Sequence, residues 1–217
     1  MNYEFVAIEG NIGSGKTSLA KILAEKYNGR LILEEFEDNP FLPKFYQDPP
    51  RHAFPLELSF LAARYTQVSS ALPAHDLFHP LLISDYFFPK TLIFAKNNLN
   101  DDEFNLFSRL FHITNQSIPQ PELVVYLYNT VENLMTNIKK RGRSYEALIT
   151  PQYLEEIQSR YLDYFRLQSK LKVVIVDTAG LDFVAREEDL NFVLGVFARE
   201  YPLGITMLRP SENNINI

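Results

Sequence analysis

Short apolar runs alternate with longer helical patterns along most of the chain. The apolar runs are rich in branched and leucine side chains and lie at residues 5–8, 31–33, 81–84, 123–127 and 173–176. Runs of this kind are typical of strands that are buried on both faces of a sheet. Helical patterns lie at residues 18–27, 56–70, 90–97, 102–115, 131–141, 151–170 and 187–200. Strands that alternate with helices predict an α/β fold with a five-stranded parallel sheet.

Composition narrows the class of protein. The chain has 217 residues, enough for one domain, and a net charge of −6, which argues against a protein that binds nucleic acid by neutralising phosphates. It has no cysteine, which excludes disulfides, and no apolar stretch near the ~18 residues that a membrane helix needs. The N-terminus enters a predicted strand at once and shows no signal peptide. We therefore expect a cytoplasmic protein that has neither nucleic acid nor membrane as a partner.

A glycine-rich motif lies between the first predicted strand and the first predicted helix. Residues 10–17 match the phosphate-loop pattern G-x-x-x-x-G-K-[ST]. In such a loop the backbone N–H groups surround phosphate oxygens, the lysine reaches the β- and γ-phosphates, and the threonine holds Mg²⁺. The predicted nucleotide contacts are Gly10, Asn11, Ile12, Gly13, Ser14, Gly15, Lys16 and Thr17. The alternative is an ordinary glycine-rich turn before a helix.

Carboxylates follow two of the other predicted strands. Ligands of parallel α/β sheets bind at the carboxyl ends of the strands, so these positions are candidates for chemistry. Glu34 follows the second strand and could accept a proton from an attacking hydroxyl, or it could belong to a solvated acidic loop. Asp85 follows the third strand and is a candidate Mg²⁺ ligand, with a simple turn residue as the alternative.

A basic segment follows the helix predicted at residues 131–141. Arg141 and Arg143 flank Gly142, and their guanidinium groups suit the charge that spreads over a transferring phosphoryl group. The alternative is a basic helix end that complements the helix dipole. That alternative explains Lys139 and Lys140 better than it explains Arg143, which lies beyond the glycine.

Several segments, taken in chain order, resemble the deoxyribonucleoside kinases, and among them the bacterial deoxyguanosine kinases. They are A-I-E-G-N-I-G-S-G-K-T, E-D-N-P-F-L-P-K-F-Y, L-E-L-S-F-L-A-A-R-Y, I-S-D-Y, I-F-A-K and K-R-G-R, over about residues 4–185. The resemblance implies a P-loop NTPase-type three-layer α/β/α fold with a helical lid, in one kinase domain over residues 1–205 with a tail at 206–217. It also implies ATP as the phosphate donor, Mg²⁺, a deoxynucleoside substrate, a role in nucleotide salvage and a homodimer.

The resemblance implies roles on the donor side of the site. Lys16 matches the lysine of the phosphate loop, and Arg141 and Arg143 match the lid arginines that close over the donor phosphates. Asp182 and Phe183 fall where the family holds the donor adenine. With Thr17 and Asp85 as metal ligands, these residues form the expected donor site.

The resemblance also implies roles on the acceptor side. Glu34 matches the general base that takes the proton of the nucleoside 5′-hydroxyl. Tyr46 and Glu146 match the pair that holds the sugar 3′-hydroxyl, and a tyrosine packed there leaves little room for a 2′-hydroxyl. Phe94 matches the aromatic ring that stacks on the acceptor base, and Asp85 completes the expected substrate contacts.

Glu57 bears on the choice of base. Many relatives that act on adenine or cytosine resemble one another in having glutamine here, which donates and accepts, whereas a carboxylate only accepts. Guanine offers two adjacent donors, N1–H and the 2-amino group, so Glu57 favours deoxyguanosine, with inosine, which shares the N1–H, as a secondary substrate. Arg64 lies seven residues on, on the same helix face, and Lys90 is a candidate donor to guanine O6. The alternative is a surface pair between Glu57 and Arg64.

Two departures and three rival functions accompany this interpretation. Tyr86 stands where many relatives have arginine, a change shared with bacterial deoxyguanosine kinases, and Asn137 stands where many have a phosphate-facing arginine. The rivals are a deoxyadenosine or broad deoxynucleoside kinase, a nucleoside monophosphate kinase, and a nucleotide-switched binding module. A monophosphate kinase would need additional basic residues for the acceptor phosphate.

Overall fold

The protein is built on a single parallel sheet. The structure, a computed structural model, describes residues 2–35, 38–71 and 81–210. The sheet order is β2-β3-β1-β4-β5-β6 and every neighbouring pair is parallel. The strands are β1 (Phe5–Gly10), β2 (Arg30–Ile32), β3 (Leu82–Ser84), β4 (Leu123–Tyr128), β5 (Lys172–Asp177) and β6 (Gly204–Leu208). The predicted parallel α/β fold is confirmed.

The prediction of five strands is wrong, because the described residues contain a sixth. β6 pairs with β5 at the edge of the sheet, and Ile205 and Met207 on it are 39% and 56% exposed. An edge strand with one exposed face shows alternating polarity rather than a continuous apolar run. β6 extends to Leu208, so the tail predicted from residue 206 begins inside a strand. Residues 211–217 of that tail lie outside the described residues.

Helices cover both faces of the sheet. They are α1 (Lys16–Tyr27), α2 (Leu42–Gln47), α3 (Pro49–Ala71), α4 (Lys90–Asn98), α5 (Asp101–Asn115), α6 (Val131–Arg141), α7 (Pro151–Arg166) and α8 (Glu187–Val196). A 3-10 helix, Ser144–Leu148, follows α6. None of the helices within the described residues is both long and apolar enough to cross a bilayer.

Alternate residues of the strands supply two cores. Ile8 packs on one face with Leu23 of α1 and Val193 of α8. Ala7 points to the opposite face, where it packs with Ile93 of α4 and Ile157 of α7. This alternation follows from the two-residue period of a strand, and it gives the three-layer arrangement that the resemblance implied.

Helix α3 begins seven residues earlier than the predicted helix at 56–70, and Pro55 lies inside it. A proline is tolerated in the first turn, as at Pro49, but inside a helix it removes one hydrogen bond. Packing outweighs that loss, because Ala53 and Leu56 are buried against Phe45 of α2. Helix α2 was not predicted. Helices α7 and α8 end at Arg166 and Val196, earlier than the predicted 170 and 200.

Candidate active site

The phosphate loop joins β1 to α1 in a tight backbone path. Gly13 and Gly15 have φ of 84° and 86°, a left-handed conformation that other residues rarely adopt. A Cβ on Gly13 would lie 2.8 Å from the Leu134 carbonyl oxygen of α6, so α6, called the lid helix below because it ends at the predicted lid residue Arg141, packs directly on the loop. The Ser14 hydroxyl is buried and has no hydrogen-bond partner among the described residues. An unpartnered donor in this loop fits a phosphate oxygen or a water.

The side chain of Asn11 makes two hydrogen bonds that hold the phosphate loop. Asn11 donates from Nδ2 to the Leu154 carbonyl of α7 at 2.8 Å, and its Oδ1 accepts from the Ile12 N–H at 2.9 Å. Asn11 therefore fixes the shape of the loop, and Asn11 and Ile12 stay predicted nucleotide contacts.

Asp85 connects the phosphate loop to the segment after β2. It is 2% exposed and accepts from the Thr17 hydroxyl at 2.7 Å through Oδ2 and from the Glu34 N–H at 2.7 Å through Oδ1. A hydroxyl beside a carboxylate fits Mg²⁺, which takes few protein ligands and completes its shell with water and substrate phosphates. The described residues contain no group of three acidic or histidine side chains that would hold a metal alone.

Glu34 lies in the loop after β2 and forms a buried charge cluster. Its Oε1 accepts from Arg64 Nε at 2.9 Å and its Oε2 accepts from Lys90 Nζ. Burial alone would raise the pKa of Glu34, but the charges of Lys90 and Arg64 hold that pKa well below its ordinary value. Glu34 is therefore ionised at neutral pH, and the predicted Lys90 and Arg64 contact this carboxylate rather than the Glu57 carboxylate.

Lys16 lies at the start of α1, close to the same cluster. Burial and the neighbouring charge of Lys90 lower the pKa of Lys16 to about 8, although Glu34 acts in the opposite direction. With this pKa Lys16 stays mostly charged at neutral pH, and a phosphate placed beside it would raise the pKa again, because an opposite charge favours the protonated form.

Glu57 lies on α3 and is 1% exposed. Its Oε1 accepts from Asn98 Nδ2 at 2.7 Å, whereas its Oε2 is buried without a hydrogen-bond partner among the described residues. Arg64 donates to Glu34 and to Thr91 instead. The alternative of a surface pair between Glu57 and Arg64 is therefore wrong, and Glu57 presents an unpartnered acceptor inside the protein.

The lid arginines converge on Glu146 in the 3-10 helix. Arg141 binds the Glu146 carboxylate through Nε at 3.0 Å and through its terminal nitrogen at 2.6 Å, and Arg143 lies 3.4 Å from the same carboxylate. Tyr46 of α2 stacks on Tyr145, with ring centroids 6.3 Å apart. The structure thus brings Tyr46, Glu146 and both arginines to one region.

The predicted base-stacking residue Phe94 and the predicted adenine-side residue Phe183 lie on opposite faces of the sheet, since Phe94 packs in the core with Ala7 and Phe183 in the core with Ile8. The Phe94 ring on α4 meets Tyr161 edge to face at 6.2 Å, and Lys90 Nζ lies 5.5 Å from the Phe94 ring centroid. Phe183 follows β5 and packs on the phosphate loop, since a Cβ on Gly15 would lie 2.9 Å from its ring. Asp182 accepts from the Ala185 N–H at 3.0 Å and so shapes this turn.

Sequence reasoning missed Glu9 and Asn98. Glu9 is fully buried and accepts from the Phe87 N–H at 2.6 Å and the Tyr161 hydroxyl at 2.8 Å, so it ties β1 to the segment after β3 and to α7. A carboxylate inside an apolar strand next to the phosphate loop was the available signal. Asn98 had no such signal. Asn137, noted only as a departure, donates to the Gly13 carbonyl at 2.9 Å and joins the lid helix to the loop.

The phosphate loop lies near a buried, ionised carboxylate at the carboxyl ends of the parallel strands. This arrangement is that of a P-loop phosphotransferase. A family model described as deoxynucleoside kinase matches residues 6–197. The chain belongs to the deoxynucleoside kinase family, and it is a phosphotransferase enzyme.

Relatives with different base preferences resemble the chain. Deoxyguanosine kinase of Bacillus subtilis (strain 168) is 35% identical over 191 residues, which cover 86% of this chain and 92% of that protein. Deoxyadenosine/deoxycytidine kinase of the same organism is 31% identical over 201 residues, covering 89% and 91%. The solved structure of deoxyadenosine kinase from M. mycoides with bound dATP has a TM-score of 0.78 at 24% identity, covering 91% and 100%. That likeness confirms the fold.

Proposed function

We propose that this deoxynucleoside kinase transfers the γ-phosphate of ATP to the 5′-hydroxyl of a purine deoxynucleoside, with deoxyguanosine as the preferred acceptor. The observation that carries the preference is the buried carboxylate of Glu57, whose Oε2 has no partner among the described residues. An ionised carboxylate accepts from both N1–H and the 2-amino group of guanine, whereas it opposes the N1 lone pair of adenine. The similarity to a deoxyguanosine kinase supports the same choice.

Glu34 would act as the general base. It is ionised, and Arg64 and Lys90 fix both of its oxygens. Its low pKa makes it a weak base, so we infer that it takes the proton of the 5′-hydroxyl late, as the new P–O bond forms. This timing suits a loose transition state, in which the attacking oxygen carries little charge until bond formation is advanced.

The donor would bind across the phosphate loop. Lys16 would neutralise the β- and γ-phosphates, and Arg141 and Arg143 would move from Glu146 to the transferring phosphate when the lid closes. Thr17 and Asp85 would hold Mg²⁺, which would supply positive charge that offsets the charge of the donor phosphates.

The sugar would bind between α2 and the 3-10 helix. Tyr46 and Glu146 would hold the 3′-hydroxyl, and the stacking of Tyr46 on Tyr145 limits the space for a 2′-hydroxyl. Phe94 would stack on the base. These assignments place an uncharged nucleoside among carboxylates, which would repel the phosphate of a nucleoside monophosphate.

We also propose a cytoplasmic homodimer that acts in nucleotide salvage. Helix α5 supports the dimer, because Leu106, Leu110 and Ile113 lie on one face and are 43%, 38% and 68% exposed. A contiguous apolar face of this kind is typical of a protein interface.

A coupled assay with ATP and Mg²⁺ tests the proposed function. Deoxyguanosine, deoxyadenosine, deoxycytidine, thymidine and deoxyguanosine monophosphate are supplied in turn, and kcat/KM is compared. We expect the highest value for deoxyguanosine. Turnover of the monophosphate alone would show a monophosphate kinase, and nucleotide binding without turnover of any acceptor would show a binding module.

The Glu57 argument has its own test in the same assay. Glu57→Gln should shift preference from deoxyguanosine towards deoxyadenosine or deoxycytidine, because the amide can donate as well as accept. Unchanged relative kcat/KM values would contradict the role of Glu57 in the choice of base. They would not contradict the proposed kinase activity.

A further inference from the structure

Glu57 is a buried carboxyl without a cation in contact among the described residues. The charged or titratable groups that face it come from five places: Tyr46 of α2, Arg64 of α3, Glu34 after β2, Lys90 of α4 and Tyr153 of α7. The two cations among them, Arg64 and Lys90, both donate to Glu34. The cost of burying the Glu57 charge is therefore left largely uncompensated.

Asn98 fixes which oxygen of Glu57 is available. Its Oδ1 accepts from Asn97 Nδ2 at 3.3 Å, so its own Nδ2 faces Glu57 and donates to Oε1 at 2.7 Å. A proton on the carboxyl would therefore sit on Oε2, the oxygen without a partner. Protonated in this way, Glu57 offers one donor and one acceptor, as glutamine does.

We propose that Glu57 accepts two purines according to its own protonation, deoxyguanosine when it is ionised and deoxyadenosine when it is protonated. This inference rests on the proposed function. Ionised Glu57 accepts from N1–H and the 2-amino group of guanine. Protonated Glu57 donates from Oε2 to N1 of adenine, and its Oε1 accepts from the 6-amino group while it keeps the hydrogen bond from Asn98.

The electrostatics place this change near neutral pH. Burial raises the pKa of Glu57 to about 7, while the hydrogen bond from Asn98 and the charge of Arg64 act in the opposite direction. Both protonation states are therefore populated under ordinary assay conditions, and neither purine itself changes protonation there.

The inference makes a quantitative statement about two rates. The kcat/KM for deoxyguanosine follows the ionised fraction of Glu57, and that for deoxyadenosine follows the protonated fraction. Their ratio therefore rises about tenfold per pH unit, or about a hundredfold from about pH 6 to about pH 8. Titrations that affect both reactions equally, such as those of Lys16 or the ATP phosphates, cancel in the ratio.

The experiment measures kcat/KM for both purines at saturating ATP and Mg²⁺ across that pH range. We expect the ratio of deoxyguanosine to deoxyadenosine to rise steadily with pH. Deoxyinosine is the matched control substrate, because it keeps N1–H and should follow deoxyguanosine with a constant ratio. A flat or falling ratio of deoxyguanosine to deoxyadenosine would overturn the inference but not the kinase, whereas absence of turnover with every deoxynucleoside would overturn the proposed function.

Two variants assign the effect to residues. Glu57→Gln should give a flat ratio, because the amide does not titrate, and a retained slope would show that another group is responsible. Asn98→Ala should lower the ratio at every pH without changing its slope, because it removes the hydrogen bond that favours the ionised form. An unmoved ratio in a folded Asn98→Ala protein would overturn the part assigned to Asn98.

Discussion

Glu34, Arg64 and Lys90 form a cluster in which two cations share one carboxylate. Lys90 lies on α4 and supplies a positive charge beside Glu34, while Tyr86 occupies the position where many relatives have arginine. The sequence predicted each of these residues in the site but matched Lys90 and Arg64 with the base. Which carboxylate a long basic side chain reaches depends on the three-dimensional approach of α3 and α4, and residue spacing does not encode that approach.

Replacement of the proposed base separates binding from chemistry. Glu34→Gln should lower kcat by about 10²- to 10⁴-fold, because the amide cannot take the 5′-hydroxyl proton. Binding of deoxyguanosine should persist in equilibrium titration, because the residues proposed to contact the guanine ring are others than Glu34. The adjacent, exposed Glu35 provides the control, and Glu35→Gln should keep kcat. Retained kcat in Glu34→Gln would remove Glu34 as the base.

The buried charge of Glu57 should cost stability at high pH. The pKa of Glu57 in the folded protein is about 7, above the ordinary 4.5 of the unfolded chain, so folding retains a proton that the unfolded chain releases. The contribution of Glu57 to the free energy of unfolding is absent below about pH 4.5. It becomes more unfavourable as pH rises to about 7 and is then constant. Glu57→Gln should therefore be more stable than the original protein at about pH 8, by on the order of 3 kcal/mol, with little difference at about pH 4.5.

Urea unfolding at the two pH values measures this difference in free energy. Glu155→Gln, at an exposed position on α7, is the control and should show no pH-dependent difference. Equal destabilisation of Glu57→Gln at both pH values would contradict the expected cost of the buried charge.

At the scale of elements, long segments with a regular apolar period were predictable from the sequence. A short helix that depends on packing and a strand at the edge of the sheet were not. Helix α6 matches its predicted bounds because Thr130 caps its start and Gly142 ends it, and both signals are local. Helix α2 has only six residues and depends on packing of Phe45 against α3. Strand β6 depends on pairing with β5, which no local pattern records. Local signals therefore predicted the phosphate loop, five of the strands and most of the helices, whereas α2, β6 and the early start of α3 depend on long-range contacts.

The end of the lid helix depends on one backbone conformation. Gly142 has φ of 72° and open space where a Cβ would lie, so Gly142→Ala introduces conformational strain without a steric clash. The strain is about 1 kcal/mol, and relief of it would turn Arg143 relative to Arg141. We expect kcat/KM for ATP to fall about fivefold in steady-state assays. Gly195→Ala in α8 is the control and should leave kcat/KM unchanged; an unchanged value in Gly142→Ala would contradict this role of the lid.

At the scale of the whole molecule, residues from distant parts of the chain lie together near the carboxyl ends of the strands. Glu34 follows β2, Glu57 lies on α3 and Glu146 lies on the 3-10 helix, and each is held by a donor from another part of the chain or from the lid. The phosphate loop consists of contiguous residues and was readable as a motif. The proposed acceptor side exists only after the helices pack, so its partners, Asn98 among them, required the structure.

The proposed dimer can be tested through α5. Leu110→Glu combined with Ile113→Glu places two charges in the apolar face and should convert a dimer into a monomer, because burial of those charges is costly. Light scattering after size-exclusion chromatography measures the mass. Leu167→Glu, at a position 81% exposed at the end of α7, is the control and should remain dimeric. A monomeric original protein, or a dimeric double variant, would contradict the proposed interface.

The two contacts of Asp85 matter for anyone who wishes to redesign this enzyme. One of its oxygens accepts from the Thr17 hydroxyl and the other accepts from the Glu34 N–H, so a single side chain anchors parts of both proposed substrate sites. A substitution there, intended to alter one site, would disturb both at once. Glu57 and Asn98 share no hydrogen bond with Asp85. Libraries that vary positions beside Glu57 and Asn98, and that retain Arg64 and Lys90, would therefore explore new acceptor bases while the contacts of Glu34 and Asp85 are kept.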